Sequence, residues 1–286
     1  MIPTVGAVDY WCNAFTPRFE NAWRRAIEKQ DLTLKIDRVG DEFCEPAAMV
    51  ERMDDCGFAT LIVVACDAEA DSDVNSFDRV TFRAEDVAAL HDHHPGRFAG
   101  TWSVDPNAGE QGLARAEEML AQPWCVGLHN HTHSWDRRFD HPDWYPFYEL
   151  AADHDVPFVM QAGASGGDFP HACGHPSGIS APADRYDAVT FVLSHTGWPW
   201  TSETIAAVRQ QPNVYVGTAS WPPHRWPDEL VDFAHHDGRG RVLFGSGFPV
   251  AGHRQAIERL PDRLTDPDVV ESLLCTTARN VFTRLP

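Results

Sequence analysis

Lysine is nearly absent from this chain. Lys29 and Lys35 are the only two among 23 basic residues, in 286 residues overall. Acidic residues number 42, which sets the formal net charge at −19. A surface that negative repels phosphate backbones and anionic headgroups, so neither nucleic acid nor a membrane surface is an expected partner. Both a GC-rich genome and adaptation to salt produce such a composition. The seven cysteines (Cys12, Cys44, Cys56, Cys66, Cys125, Cys173 and Cys275) are odd in number and include no CxxC. A disulfide framework and a thiolate zinc site are therefore not expected, and a reducing cytoplasm fits best. Long apolar runs are missing too. The longest, Ala59 to Cys66 with Thr60 inside it, is far too short to span a bilayer. Met1-Ile2-Pro3 leads into an apolar segment without a basic n-region, so no signal peptide is expected. No linker, compositional shift or fixed-period repeat divides the chain, and a single domain over residues 1–286 is the expectation.

What is present is ordinary globular material, 43% hydrophobic and 23% charged, which excludes a disordered chain. Eight short apolar runs read as strands: Val5–Tyr10, Phe58–Ala65, Phe98–Val104, Trp124–Leu128, Pro157–Gln161, Thr190–Ser194, Asn213–Gly217 and Arg241–Gly245. They show little polar alternation, as strands buried on both faces do. Helical patterns fall between them. Thr16-Pro17 reads as an N-cap with Pro at N1, opening a helix to about Lys29. Glu45–Cys56 is followed by Gly57 as a C′ residue. Ala84–His93, Gly109–Ala121, Trp144–Asp155, Thr201–Gln211, Asp228–Asp237, Arg254–Leu260 and Asp268–Phe282 complete the set. Strand and helix alternating in this way predict an α/β fold, a (β/α)8 TIM barrel. No GxGxxG follows the first strand, which argues against a doubly wound sheet.

In such a barrel the site lies at the C-terminal ends of the strands. That rule selects Asp9, Trp11 and Asn13 after strand 1, Cys66 and Asp67 after strand 2, and Ser103 and Asp105 after strand 3. It also selects His129, His131 and His133 after strand 4, Gln161 after strand 5 and His195 after strand 6. Ser220 and Trp221 follow strand 7, and Ser246 and Gly247 follow strand 8.

Several stretches carry a resemblance to a known family: Val8-Asp9-Tyr10-Trp11-Cys12-Asn13, His94 to Gly100, Pro157 to Gln161, Leu193 to Pro199, Asn213 to Val216, Leu243 to Pro249 and Ala278 to Phe282. In this order they resemble the amidohydrolase-related family, aminocarboxymuconate-semialdehyde decarboxylase-like branch, over nearly the whole chain. The resemblance implies a TIM barrel whose divalent metal is held by His-x-His on strand 1, a His on strand 5 and an Asp on strand 8. A His on strand 6 stands beside the metal-bound water. Here the corresponding positions are Trp11 and Asn13, Gln161, and Gly247; only His195 on strand 6 remains. Trp cannot ligate, Gly has no side chain, and Asn and Gln are weak neutral donors. The expectation is that the family's metal site is absent and that no cofactor is needed.

His195 is then the leading catalytic residue, an imidazole able to donate or accept a proton near neutrality. His131 and Asp9 are further catalytic candidates. Trp11, Asn13, Gln161, Trp135, Trp198, Trp221 and Ser246 are expected to bind substrate, the tryptophans forming a dry pocket for a planar or cyclic molecule. If strand 4 runs on through His129-x-His131-x-His133, alternation puts three imidazoles on one face, and zinc there is the alternative cofactor. The Gly-rich stretch Gly163–Pro182 reads as a lid. Cys12, between Trp11 and Asn13, should face away from the pocket. The expected function is metal-independent acid/base chemistry on a small aromatic or cyclic substrate: hydrolysis, decarboxylation, or cyclisation and isomerisation. A non-catalytic small-molecule-binding protein is the alternative, and a homodimer is allowed.

Overall fold

The computed structural model describes residues 6–29, 43–67, 81–165 and 169–286. Eight strands lie in one parallel sheet in sequence order: β1 Ala7–Cys12, β2 Phe58–Ala65, β3 Phe98–Ser103, β4 Cys125–Asn130, β5 Phe158–Gln161, β6 Phe191–Ser194, β7 Val214–Gly217 and β8 Val242–Leu243. The expected (β/α)8 barrel is present. β8 is shorter than its apolar run, yet the backbone beyond it closes the ring. Tyr10 N–H donates to Phe244 O at 3.1 Å, Gly247 N–H to Trp11 O at 2.8 Å, and Asn13 N–H to Phe248 O at 3.2 Å. Burial on both faces explains the strand composition. Val8, Ile62, Val64, Val126, Val159 and Val192 fill the barrel interior. Leu61, Val63, Leu128, Phe158 and Phe191 pack outward in the larger cluster shared with the helices.

The helices are α1 Glu20–Lys29, α2 Pro46–Cys56, α3 Ala84–His93, α4 Gly109–Leu120, α5 Tyr145–Asp153, α6 Ser180–Arg185, α7 Thr201–Gln210, α8 Asp228–His235, α9 His253–Arg259, α10 Pro267–Glu271 and α11 Thr277–Val281. Gly57 ends α2 as anticipated, in the left-handed region with its amide on the Asp54 and Met53 carbonyls. Two expectations need correction. Thr16 makes no side-chain cap; a 3-10 turn at Pro17–Phe19 leads into α1 instead. The single C-terminal helix is broken by a π turn at Ser272–Thr276. The wider turn is used for pairing: Leu273 O accepts from Phe244 N at 3.2 Å, and Ser272 Oγ accepts from Gly240 N at 2.9 Å. The stretch read as a lid carries 3-10 turns at His171–Gly174 and Pro176–Ile179 and then α6, which its composition did not announce; Gly166 and Gly167 lie outside the described residues. Among the described residues no helix is long and apolar enough to cross a membrane.

The two ends of the barrel differ. At the end where strands begin, α11 and the tail form a floor. Phe282 stacks on Tyr10 with ring centroids 6.5 Å apart, and Arg284 donates to the carbonyls of Leu120, Cys125 and His154. Tyr10 occupies the barrel interior, donating its hydroxyl hydrogen to Ser194 Oγ at 2.9 Å. It has room because its neighbours are glycines. A Cβ on Gly217 would lie 2.0 Å from the Tyr10 hydroxyl oxygen, and one on Gly245 would lie 2.6 Å from the ring. Gly217→Ala should therefore cost about 1–3 kcal/mol, the usual cost of overpacking a filled core. Thermal melts should show Tm lower by roughly 2–4 °C per kcal/mol. Tyr10→Phe removes the atom nearest the new methyl, so the double variant should be clearly less than additive. Strict additivity would show that the two positions do not share this space.

Candidate active site

Strand β1 carries the decisive irregularity. Asp9 pairs with Leu61 and Cys12 with Val63, so β1 spends one residue more than β2 over the same interval. This bulge turns both Tyr10 and Trp11 into the barrel and leaves Cys12 in the outer cluster. Cys12 thus faces away from the interior as expected, and burial pushes its thiol pKa well up.

At the strand C-termini, Trp11, Asn13, His129, His131, Gln161, His195 and Ser220 surround one cavity of about 40 Å3. Trp11, His131, Gln161 and His195, selected from the sequence, do share that cavity. The Trp11 indole stands edge-on to His129 at 4.6 Å and to His195 at 4.9 Å between ring centroids. His195 Nδ1 lies 2.6 Å from Ser194 Oγ, the atom that also receives the Tyr10 hydroxyl. The backbone holds this imidazole under strain. His195 and Thr196 take positive φ values of 63° and 58° and lead into Gly197 at 70°. A β-branched residue in that region is an outlier that only surrounding structure sustains. His131 bonds Ser134 Oγ through Nδ1 and Ser165 Oγ through Nε2 at 3.2 Å. His129 is buried, and neither of its ring nitrogens has a hydrogen-bond partner among the described residues. Burial lowers its pKa to about 3, so it stands as a neutral imidazole at physiological pH.

Trp23 of α1, Val64, Thr81 and Val250 complete the lining. Sequence reasoning missed them. Trp23 reads as one more apolar residue of an amphipathic helix, and nothing local marks it as a wall of the site. Two larger hollows lie elsewhere. One of about 650 Å3 sits between the α1 approach and helices α2 and α3, lined by Arg18, Glu45 and Asp86 among others. One of about 320 Å3 is lined by Cys66, Asp67, Ser103, Asp105, Arg115 and Trp135 among others.

Several selected residues lie away from the central cavity. Asp9 points outward from the bulge. Its carboxylate accepts from Trp11 N at 3.1 Å, Ser246 N at 2.9 Å, Ser246 Oγ at 2.5 Å and His253 Nε2 at 3.1 Å. Asp9, Ser246 and His253 are all fully buried there. Asp9 and Ser246 are thus placed to tie β1 to the segment after β8. His253 was not found from sequence. Its Nε2 faces both Asp9 and Ser246, at 3.1 and 3.4 Å, so this is not a relay through two ring nitrogens. Trp135 lines the 320 Å3 hollow. Trp198 is 41% exposed and packs on Trp221, with centroids 5.3 Å apart. The three-histidine zinc expectation is corrected. β4 ends at Asn130 and the chain enters a 3-10 turn at Thr132–Trp135, which breaks the two-residue alternation. His133 turns to Gly163 O at 2.9 Å, and the three rings do not converge on one point. Among the described residues, the metal-ligating side chains that do cluster are Asp9, Cys12 and His253.

The positions at which the family resemblance places metal ligands do not fit a cation. Trp11 Nε1 donates to Asn13 Oδ1 at 3.1 Å, which occupies the one oxygen Asn13 could offer. Asn13 Nδ2 in turn donates to Phe248 O at 2.8 Å and Gly247 O at 3.3 Å. Gly247 has φ of +60°, and a Cβ there would lie 2.2 Å from Ser220 Oγ. The side chain of an aspartate has no room at that position. An indole N–H donating to an amide oxygen, whose own NH2 donates to backbone carbonyls, is a hydrogen-bond network, not a ligand set.

Comparison with known proteins agrees with this architecture. An uncharacterised TIM-barrel protein from Bordetella bronchiseptica superposes with a TM-score of 0.77 at 20% identity, over 98% of this chain and 99% of that one. 5-Carboxyvanillate decarboxylase from Novosphingobium aromaticivorans, solved with manganese and 4-hydroxy-3-methoxy-5-nitrobenzoic acid, gives 0.66 at 15%, over 98% and 96%. 2,6-Dihydroxybenzoate decarboxylase from Rhizobium gives 0.64 at 15%, over 98% and 99%. No curated protein sequence matches the chain. At these identities the likeness speaks for the fold. The amidohydrolase family profile matches residues 18–284, nearly the entire chain, and the protein belongs to that amidohydrolase family.

Proposed function

We propose that this protein is an enzyme acting on a small aromatic or cyclic substrate by metal-independent acid/base chemistry, with His195 as the proton-transfer group. The observation that carries the reading is the strained His195-Thr196-Gly197 turn, which holds one imidazole at the cavity against a backbone preference. Strain of this kind persists at functional sites. The decarboxylase neighbours, named for dihydroxybenzoate and carboxyvanillate, support the same substrate class.

The chain's own groups suit the role. Ser194 Oγ already accepts from Tyr10 and has a second lone pair for Nδ1–H of His195. Held in that tautomer, the ring exchanges its proton through Nε2. In a decarboxylation, imidazolium Nε2–H would pass its proton to the ring carbon as carbon dioxide leaves, and water would restore it. In a hydrolysis, neutral Nε2 would take a proton from water and return it to the leaving group. Trp11 packs edge-on to the imidazole and keeps its surroundings apolar. Gln161 supplies a neutral amide where the resemblance expects a ligand. Burial keeps His129 neutral, so it divides labour with His195: it does not titrate near pH 7, and its ring nitrogens, unpartnered among the described residues, stay open to a polar group of the substrate. A cavity of about 40 Å3 accommodates roughly one water, whose share of liquid volume is about 30 Å3. A ring-sized substrate thus has to displace Trp23 and Val250, which wall the cavity without belonging to the main core.

The test is a panel of ring carboxylates and ring lactones, followed by release of carbon dioxide or acid. On whichever substrate turns over, His195→Ala should lower kcat by about 10²–10⁴-fold, the usual contribution of a positioned acid/base. His195→Gln should not restore it. Prolonged chelation should leave the rate intact. Loss of activity with chelator and its return with zinc or manganese would overturn metal independence, and full activity in His195→Ala would overturn the role of His195.

His129 gives a separate expectation for stability. Its folded pKa lies near 3, below the unfolded value of about 6.5. Between those limits the unfolded chain binds the extra proton, so stability is full above pH 6.5 and falls as pH drops toward 3. Denaturant titrations should show this loss approaching about 1.4 kcal/mol per pH unit for the one group. His129→Leu should remove that share of the slope, and an unchanged slope would mean that His129 is not held neutral.

A further inference from the structure

Ser165 lies just beyond Gln161 on the loop after β5, is buried, and takes no part in the chemistry argued above. Its hydroxyl sits between two groups of opposite hydrogen-bond character. Gln161 Nε2 donates to Ser165 Oγ at 3.4 Å. An amide NH2 can only donate, so the one hydrogen of Ser165 is left for His131 Nε2, 3.2 Å away. His131 can accept it only if its own hydrogen is on Nδ1, and Ser134 Oγ stands against that nitrogen to receive it. Phe169 packs edge-on against the imidazole at 5.3 Å and fixes its plane. A hydroxyl in reach of a base, with the base oriented by a third group, is the arrangement that makes serine a nucleophile. His131 and Gln161 both border the central cavity, and Ser165, bonded to both, lies directly behind them, so an acyl carbon reaches it between those two side chains.

We infer that Ser165, His131 and Ser134 form a nucleophilic triad, and that the protein hydrolyses a small ester or lactone through an acyl-serine. The inference deepens the proposed function by choosing hydrolysis within it, and rests on the same cavity being the substrate site. In the first step the Oγ–C bond forms as the Ser165 proton passes to His131 Nε2, and Gln161 Nε2–H donates to the developing oxyanion. Collapse breaks the bond to the leaving alkoxide, which takes the proton from Nε2. Water then gives a proton to Nε2 and its oxygen bonds the acyl carbon. The second collapse breaks the Oγ–C bond and returns the proton to Ser165. Ser134 is a positioning residue in this scheme, since it reaches the chemistry only through His131.

Covalent labelling tests this without knowledge of the substrate. Diisopropyl fluorophosphate should add one phosphoryl group per chain: Oγ bonds phosphorus, fluoride leaves, and the proton goes to His131 and on to water. Peptide mass spectrometry should place the adduct on Ser165. Ser165→Ala should abolish it with an unchanged melting curve. His131→Asn should slow labelling by about 10²-fold or more, the size of a lost general base. Ser134→Ala should slow it less, and Ser134→Thr, which keeps the hydroxyl, should recover most of the rate. An unlabelled but folded wild type, an adduct on another residue, or equal labelling of Ser165→Ala would overturn the triad. His195→Ala separates the two readings. If it keeps the adduct but also keeps full turnover, the acid/base role of His195 fails and the nucleophile stands. If it loses turnover while wild type takes no adduct, the reverse holds.

Discussion

The Asn13 side chain holds the barrel's seam where the site is built. Strand β8 is too short to complete a ladder with β1, so closure falls to single contacts. Asn13 makes three of them by itself: its main-chain amide and its side-chain amide both donate to Phe248 O, and the side chain also reaches Gly247 O. Trp11 completes the link by donating into Asn13 Oδ1. Behind them Asp9 gathers donors from Trp11, Ser246 and His253 across the same seam. Where the family resemblance expects a cation to bind strands 1 and 8 together, this chain uses neutral and charge-assisted hydrogen bonds. Buried hydrogen bonds with satisfied partners hold such a junction, and the donors gathered around Asp9 offset the cost of burying its carboxylate.

That exchange has a consequence for the chemistry. A cation at the seam would polarise a substrate and lower the pKa of a bound water. Indole and amide groups supply neither effect. On the metal-independent reading proposed above, imidazole is the group left to move protons, and the barrel end holds three. The environments of the histidines pull them apart. His129 is desolvated and neutral. His131 is tied to two serine hydroxyls. His195 rests its Nδ1 on the Ser194 hydroxyl that also receives the Tyr10 hydrogen. Three chemically identical side chains thereby acquire three different hydrogen-bond settings from their surroundings alone.

Much of this was legible in the sequence, for physical reasons. Eight apolar runs with helical patterns between them read as a parallel sheet covered on both faces, so strands such as Phe58–Ala65 and helices such as Ala84–His93 fall where the pattern puts them. The barrel rule then chose Trp11, Gln161 and His195 with no knowledge of side-chain direction. What failed was whatever depends on a local break in period. The β1 bulge after Asp9 adds one residue, and alternation beyond it inverts, so Asp9 and Trp11, two apart in sequence, end on opposite sides of the barrel wall. The 3-10 turn after Asn130 does the same to the three-histidine run. The π turn at Ser272–Thr276 answers a strand amide 29 residues away in sequence, at Phe244, which no local window contains. Trp23 and His253 reach their positions only through tertiary packing.

The small cavity and the strained turn meet at His195. A site that must exclude water around an imidazole gains from tight aromatic walls, because a low local dielectric strengthens each polar contact inside it. The same tightness leaves space for about one water rather than a ring. The barrel strands themselves cannot yield, since each interior residue packs against others at crystal-like density. The wall that can yield is the pair formed by Trp23 and Val250, a small cluster separate from the two larger cores. Its displacement would leave Tyr10, Ser194 and His195 untouched, because their bonds run through the barrel interior. On the proposed reading, rigidity is thus concentrated at the proton-transfer group, and compliance where a ring would enter.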